Sequence, residues 1–403
     1  MDKIVDVKDF GTIRSIDLQV GPACNMRCRH CQQMPEKGVS VCAREPSGDV
    51  MKVLDSFIRF SRNPEIIKEG NSVEPACRIM FYGGEALLYW DICKGVVTHF
   101  MEKYDLLSDY GFRFAVTTNG TLIDEEFVEF VNRYDILVMF SYDAPYPFAV
   151  RDYVSDGVCA LVNKIRHAKI LAAGNAYNCD LLTMYRCLEA KFPNAVYKPS
   201  LEVNRTFDGM PDDVDAYDFG KVRIGIRKLV IGAKMEDGFC LHALRNFLLA
   251  KISPQSNFFH NTKMGICVAT RRILAMTMTG DISFCYNTYD RLGNIRDDTL
   301  GTIFQKAKAV WESIYDPACD TCEARDICYW GCARLLRDGN GHAYNCERFR
   351  KPFFRILREE VMALNGPLTE DEKEWFAVQE EIMRGQVKEF LLEGERKGSV
   401  SVG

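Results

Sequence analysis

Ile16, Leu18 and Val20 alternate with polar Asp17 and Gln19, a period-two pattern that predicts a strand ending just before a group of cysteines. Behind Ser47, a capping residue, Val50, Met51, Leu54, Phe57 and Ile58 follow helical spacing. The same reading predicts a strand over 79–82, a helix over 87–101, a strand over 114–117, a helix over 127–132 and a buried strand over 136–140. Residues 158–172 read as a helix, and 177–185 and 196–203 as two more strands. About six βα units in succession predict a parallel sheet or an open (β/α) barrel.

The polar stretch 62–75 reads as a loop between units, and glycine and proline around 207–211 mark a boundary region. Helical patterns follow over 222–231 and 241–252. From Cys267 the character changes to short strands, turns and cysteines. After Cys346, residues 353–364 and 375–393 look helical, with Pro367-Leu-Thr-Glu as a helix start. The expected organisation is a barrel over 1–232, a linker helix with a cysteine-rich α+β domain over 233–350, and a helical extension over 351–403.

Hydrophobic content of 47% and charged content of 27% are ordinary globular values and exclude a disordered or fibrous chain. A net charge of −5 argues against a protein that tracks nucleic-acid phosphates. No run approaches a transmembrane span and the first residues lack an apolar signal core, so a cytoplasmic protein with no membrane or nucleic-acid partner is expected. The 17 cysteines change the picture. A chain of this length has core enough without disulfide staples, and clustered thiols in a reducing compartment point to metal. Cys42, Cys77, Cys93, Cys159, Cys179 and Cys187, scattered singly, read as small buried hydrophobes.

Cys24, Cys28 and Cys31 have the spacing C-x3-C-x2-C where the first strand ends. Thiolates are soft ligands suited to iron–sulfur clusters or zinc. Zinc sites close with a fourth Cys or His, and His30 sits inside this loop rather than at a second pair's distance. The spacing resembles the signature of the radical S-adenosylmethionine superfamily, although His30 stands where that family usually has an aromatic residue. The resemblance implies a partial (β/α)6 TIM-type barrel and a [4Fe–4S] cluster on the three cysteines. One iron is left open for the amino and carboxylate groups of S-adenosylmethionine, which one electron cleaves to methionine and a 5′-deoxyadenosyl radical. The electron donor implied is of flavodoxin or ferredoxin type.

Further segments resemble that family in order, at the ends of successive strands, where a barrel places its site. Gly83-Gly84-Glu85 resembles the element that binds the cofactor's amino group, with Glu85 as acceptor for the ammonium; Ala86 replaces the usual proline. Thr118, Asn119 and Gly120 resemble the family's Thr-Asn-Gly element. Ser141-Tyr-Asp143 resembles its Ser-x-Asp-Gly element, with Ala144 in place of glycine and Ser141 a contact to the ribose or carboxylate. Arg151 is a candidate for the cofactor's carboxylate, or an exposed surface arginine.

The second series runs Cys267, Gly280-x4-Cys285, Cys319-x2-Cys322-x5-Cys328-x3-Cys332 and Cys346, with Leu292-Gly-Asn294-Ile between its halves. It resembles the SPASM extension, which holds two auxiliary [4Fe–4S] clusters; the competing reading is a pair of zinc ribbons. By resemblance, Cys319, Cys322, Cys328 and Cys346 would hold the outer cluster and Cys267, Cys285 and Cys332 the inner one, for three clusters in total with the first. The inner set lacks a fourth cysteine: Cys240 reaches back to it, or the site is open. The auxiliary clusters would exchange an electron with the substrate radical, or only scaffold the domain.

In sulfatase-maturating relatives an aspartate follows the cysteine of the Gly-x4-Cys element and acts as base. Here that position is Tyr286, a poor base at neutral pH, so Asp290 is a further candidate. With the first motif beginning at Cys24, the expectation is that no leader-gripping module precedes it. A peptide would then be recognised by the barrel mouth, the C-terminal helices or a separate protein. The resemblance implies a peptide or protein substrate and an oxidative crosslink or dehydrogenation. Dehydrogenation of a small alcohol or amino sugar, and sulfatase maturation, are the alternatives.

Overall fold

In the computed structural model, the described residues are 10–29, 31, 45–70, 75–104, 106, 111–144, 154–173, 177–200, 218–252, 273–283, 291–314, 316–323, 346–347 and 351–398. Six parallel strands lie side by side in chain order: β1 (Ser15–Gly21), β2 (Cys77–Gly83), β3 (Phe112–Thr118), β4 (Leu137–Ser141), β5 (Ala168–Ala173) and β6 (Val196–Ser200). Between them run α1 (Gly48–Ser61), the single turn α2 (Pro64–Ile67), α3 (Trp90–Lys103), α4 (Glu125–Arg133), α5 (Asp156–Val162) and α6 (Leu181–Lys191). This is the partial (β/α)6 barrel that the βα alternation predicts. No helix among the described residues is long and apolar enough to cross a membrane.

A seventh strand, β7 (Ile273–Thr277), pairs parallel to the other side of β1, with Ser15 opposite Ile273 and Gln19 opposite Thr277. The antiparallel β8 (Asp281–Ser283) and β9 (Arg291–Asn294) extend the sheet, leaving β6 and β9 as its edges. The short strands expected after Cys267 therefore continue the barrel sheet. Gly280 adopts φ +88, and a Cβ there would stand 2.5 Å from the Ile295 side chain. The Ile295 N–H donates to the Gly280 carbonyl at 3.0 Å, so the Gly280 turn and the Leu292–Ile295 segment pack as one unit.

The alternation along β1 has a meaning beyond water and core. Ile16, Leu18 and Val20 join the main core beneath the helices. Asp17 and Gln19 are also buried, at 1% and 7% exposure. They face the barrel interior, in register with Met80 and Tyr82. Met80, Ala115, Leu137 and Met139 form a second apolar cluster there, with Leu171 against it. Burial raises the Asp17 carboxyl above its ordinary range, against the opposing pull of Arg78 and the Ser15 hydroxyl.

Two expected elements differ. Residues 158–172 are not one helix: α5 ends at Val162 and β5 begins at Ala168. Residues 177–185 are not a strand, because Asp180 caps α6, its carboxylate accepting the Thr183 N–H at 3.2 Å. Within 62–75, α2 supplies a helical turn behind Asn63.

Beyond the barrel helices lie α7 (Phe219–Lys234), α8 (Gly238–Ile252), α9 (Leu300–Ile314), α10 (Lys351–Met362) and α11 (Glu370–Gly398). Phe376, Met383 and Phe390 recur every seven residues on α11 and are buried, forming a seam against α6 and α7. Glu360 on α10 is buried between Arg223 (2.8 Å) and Arg227 (3.3 Å) of α7. The C-terminal helices thus clamp the outer layer of the barrel.

Candidate cofactor site

All of the first-half motifs converge at the C-terminal edge of the sheet. β1 ends at Gly21, and the chain turns through Pro22 and Ala23 into Cys24. The loop after β2 is stitched to that turn: Gly84 N–H donates to the Gly21 carbonyl at 3.0 Å and Glu85 N–H to the Ala23 carbonyl at 2.8 Å. The Ala23 N–H donates to the Tyr89 hydroxyl at 3.2 Å. A Cβ on Gly83 would stand 2.1 Å from the Gly21 carbonyl oxygen, and one on Gly84 2.3 Å from those of Pro22 and Ala23. Both glycines are required because backbone meets backbone, so their close approach is to the cysteine loop itself.

Glu85 is 1% exposed. Its Oε1 accepts from the Leu87 N–H at 3.0 Å and the Thr118 hydroxyl at 2.6 Å; its Oε2 accepts from the Asn119 N–H at 2.7 Å. In this arrangement the carboxylate ties the loop after β2 to the loop after β3.

Asn119 closes a ring with two residues. Its Nδ2 donates to Asn25 Oδ1 at 2.9 Å, Asn25 Nδ2 donates to the Thr121 hydroxyl at 2.7 Å, and that hydroxyl donates to Asn119 Oδ1 at 2.7 Å. The Thr121 backbone N–H also donates to Asn119 Oδ1 at 3.0 Å, which fixes the orientation of the amide. Asn119 Nδ2 lies 3.9 Å from Cys24 Sγ, and the Met26 N–H donates to the same sulfur at 3.4 Å. Gly120 adopts φ +84 over the Phe140 ring, a conformation that favours glycine.

Cys24 and Cys31 are half-buried and Cys28 is buried; none is in a disulfide. The Cys31 N–H donates to the Cys28 carbonyl at 3.1 Å, curling the loop. No three His, Cys, Asp or Glu side chains among the described residues are grouped to hold a single metal ion. A cubane spreads its thiolates over separate irons and asks for wider spacing than one ion does. Three cysteines outside any disulfide on one curled loop, with amide and backbone donors turned to one sulfur, are a fitting donor set for such a cluster.

Ser141 ends β4 half-buried, and Asp143 two residues on is fully buried. Just beyond, Asn178 Nδ2 donates to the Ala144 carbonyl at 3.0 Å. Beneath the Thr-Asn-Gly loop, the Thr117 hydroxyl points to the sulfurs of Met80 (3.5 Å) and Met139 (3.8 Å), so the interior below the site is soft and apolar. Arg151 lies outside the described residues, as do Tyr286, Asp290 and the cysteines Cys267, Cys285, Cys328 and Cys332. Cys319 and Cys322 bracket a tight turn, Cys322 N–H donating to the Cys319 carbonyl at 3.4 Å. Cys322 and Cys346 both lie within electrostatic reach of Lys351, whose pKa is raised chiefly by its bond to Glu347 and further by these two thiols. Cys240 is fully buried against Gly232 beside Phe376, and burial pushes its thiol up to about 12; the inner set it was expected to complete lies outside the described residues. Cys77, Cys93, Cys159, Cys179 and Cys187 are buried, as their scatter predicts; Cys42 is outside the described residues. Sequence reasoning missed Tyr89, Asn25 and Thr121, of which Asn25 alone carried a signal, its adjacency to Cys24.

A parallel (β/α) sheet with a cysteine loop clasped at its C-terminal edge defines a class of cofactor-binding α/β proteins. Residues 18–178 match the model of the Radical SAM superfamily, and the chain carries a radical SAM domain. A curated relative, the radical SAM cyclopropyl synthase TigE of Paramaledivibacter caminithermalis, is 27% identical over 168 residues, covering 41% of this chain. The match spans about a third of that relative's length, 34%. Among solved structures, native anSMEcpe with bound AdoMet superposes with a TM-score of 0.58 at 18% identity, covering 87% of this chain and 99% of that one. Streptococcus suis SuiB bound to precursor peptide SuiA gives 0.52 at 16% identity, over 82% and 75% of the two chains. These likenesses extend the shared fold well beyond residue 178.

Proposed function

We propose that this chain is a radical S-adenosylmethionine enzyme that abstracts hydrogen from a peptide or protein and leaves it oxidatively modified. The observation that carries the reading is the clasp itself: Gly83-Gly84-Glu85 and Thr118-Asn119 bonded to the loop of Cys24, Cys28 and Cys31. When bound, the cluster and S-adenosylmethionine supply a one-electron cleavage that generates the hydrogen-abstracting radical. Cys24, Cys28 and Cys31 would hold the cluster, the Gly83-Gly84-Glu85 loop would meet the cofactor's amino group, and Ser141 its ribose or carboxylate. Glu85 keeps both loops in place, and Met80, Met139 and Leu171 present an apolar face below the reacting centre.

A peptide substrate is supported by the bound molecules of two structures of similar fold, the precursor peptide SuiA on SuiB and the Cp18Cys peptide on anSMEcpe. The second cysteine series belongs to this reading as a SPASM-type extension with an outer cluster on Cys319, Cys322, Cys328 and Cys346 and an inner one on Cys267, Cys285 and Cys332. A flavodoxin- or ferredoxin-type protein would deliver the electron. The test is anaerobic co-expression with a short peptide from any open reading frame that adjoins this gene, followed by its intact mass. Loss of two hydrogens per event supports the reading, while an unchanged mass without solvent deuterium uptake favours oxidation of a small alcohol or amino sugar instead.

A further inference from the structure

Asn119 is 7% exposed, and each of its amide atoms can be accounted for. Oδ1 is taken by the Thr121 N–H and hydroxyl. One N–H of Nδ2 goes to Asn25 Oδ1 at 2.9 Å, which leaves the other beside Cys24 Sγ at 3.9 Å. The backbone N–H of Met26 approaches that sulfur at 3.4 Å. Because a backbone donor pins Oδ1, the amide cannot turn its oxygen toward the sulfur without leaving the Thr121 N–H unpaired. An N–H held toward a thiolate stabilises it more as negative charge grows, which is how hydrogen bonds to cluster sulfurs set reduction potentials.

We infer that Asn119 is a positioning residue whose side-chain amide, held by the Thr121 backbone N–H and by Asn25 Oδ1, tunes the reduction potential of a cluster bound through Cys24. This rests on the cluster site proposed above. The reduced cluster carries one more electron and gains more from the donor than the oxidised one, so the amide raises the potential and eases entry of the electron. The role is separate from any contact of the Thr-Asn-Gly loop with the nucleoside.

The test is an electron-paramagnetic-resonance-monitored titration of the anaerobically reconstituted full chain, comparing wild type, Asn119→Ser and Thr121→Val. Serine keeps an oxygen for the Thr121 N–H but is too short to reach Cys24. Valine opens the ring yet leaves Oδ1 pinned by the backbone N–H. Asn119→Ser is expected to make reduction about tenfold less favourable, about 59 mV lower for a one-electron couple, at unchanged iron content, while Thr121→Val stays near wild type. Equal potentials for Asn119→Ser and wild type, or an equal drop in both variants, would overturn the inference. Should the serine variant load poorly, labelling asparagine side-chain amides with a nitrogen isotope in the wild-type chain decides it. Coupling of the reduced cluster's spin to an amide nitrogen is expected, and its absence counts against the proposal. A Cys24, Cys28 and Cys31 triple alanine variant that kept its full iron and the same signal would instead refute the underlying site.

Discussion

Glu85 shows how much of this site is carried by one carboxylate that need not touch a ligand. Its two oxygens serve three donors from two loops, a set that only an ionised carboxylate accepts in full. In Glu85→Gln, either orientation of the amide sets an NH2 against a donor. We expect a loss of about 1–3 kcal/mol in urea unfolding, together with less iron bound per chain; wild-type values for both would contradict the clasp. Asp135 offers a residue-scale test against pH. The His167 imidazole at 2.7 Å, with the Arg113 guanidinium at 2.8 Å, holds its carboxyl down to about 2. A depressed pKa contributes stability above the ordinary carboxylate range, near 3.8, and loses it as pH falls toward 2. Asp135 also adopts φ +54, a conformation that asparagine tolerates. Asp135→Asn should therefore lower stability by about 1 kcal/mol at neutral pH, with the difference from wild type shrinking between about pH 4 and about pH 2. A constant difference across that range would reject the ion pair as the cause.

At the scale of elements, the seam of α11 is the feature with the largest expected energy. Phe390 is buried, with its ring 6.4 Å from that of Tyr142, the residue between Ser141 and Asp143. Phe390→Ala should cost about 3–5 kcal/mol, read as a fall in the thermal midpoint. A near-neutral effect would show that the helix only rests on the barrel. The helical pattern over 375–393 is readable in the sequence, but not its partner. The misread stretch 158–172 teaches the complementary lesson. Ala168, Ile170 and Ala172 alternate as a strand does, while Ala168 and Ala172 also keep the i, i+4 spacing of a helix, so a short apolar run following α5 is ambiguous. The break after Val162 is held from elsewhere in the fold, by Asn132 donating to the Lys164 carbonyl at 2.9 Å and Asn163 to the Lys191 carbonyl at 3.0 Å. By contrast, Asp180 was a local capping signal for α6 that the apolar pattern over 177–185 outweighed.

For the whole molecule, the proposal links two cysteine regions through one sheet. β7 seats the second region directly beside β1, the strand that leads into Cys24. Alanine at Cys24, Cys28 or Cys31 should abolish 5′-deoxyadenosine formation, measured by chromatography of anaerobic reactions; full turnover in any of the three would reject the assignment. Alanine at Cys285 or Cys332 should spare cofactor cleavage more than product formation if the inner cluster serves the substrate radical. Equal damage to both steps would instead mark that cluster as a scaffold.

The chain alone determined which thiols cluster, the order of the βα units and the identity of the loops that follow β1, β2, β3 and β4. Such information is local: spacing, period and turn residues are written in neighbouring positions. The tertiary structure decided where β7 pairs, which helices α11 covers, and that Glu85 and Asn119 face the chain's own loops. Those outcomes depend on groups far apart in sequence, such as Gly84 against Ala23 or Asn119 against Asn25. A buried donor accepts whichever partner the fold brings within hydrogen-bond reach, and only the assembled sheet brings these together.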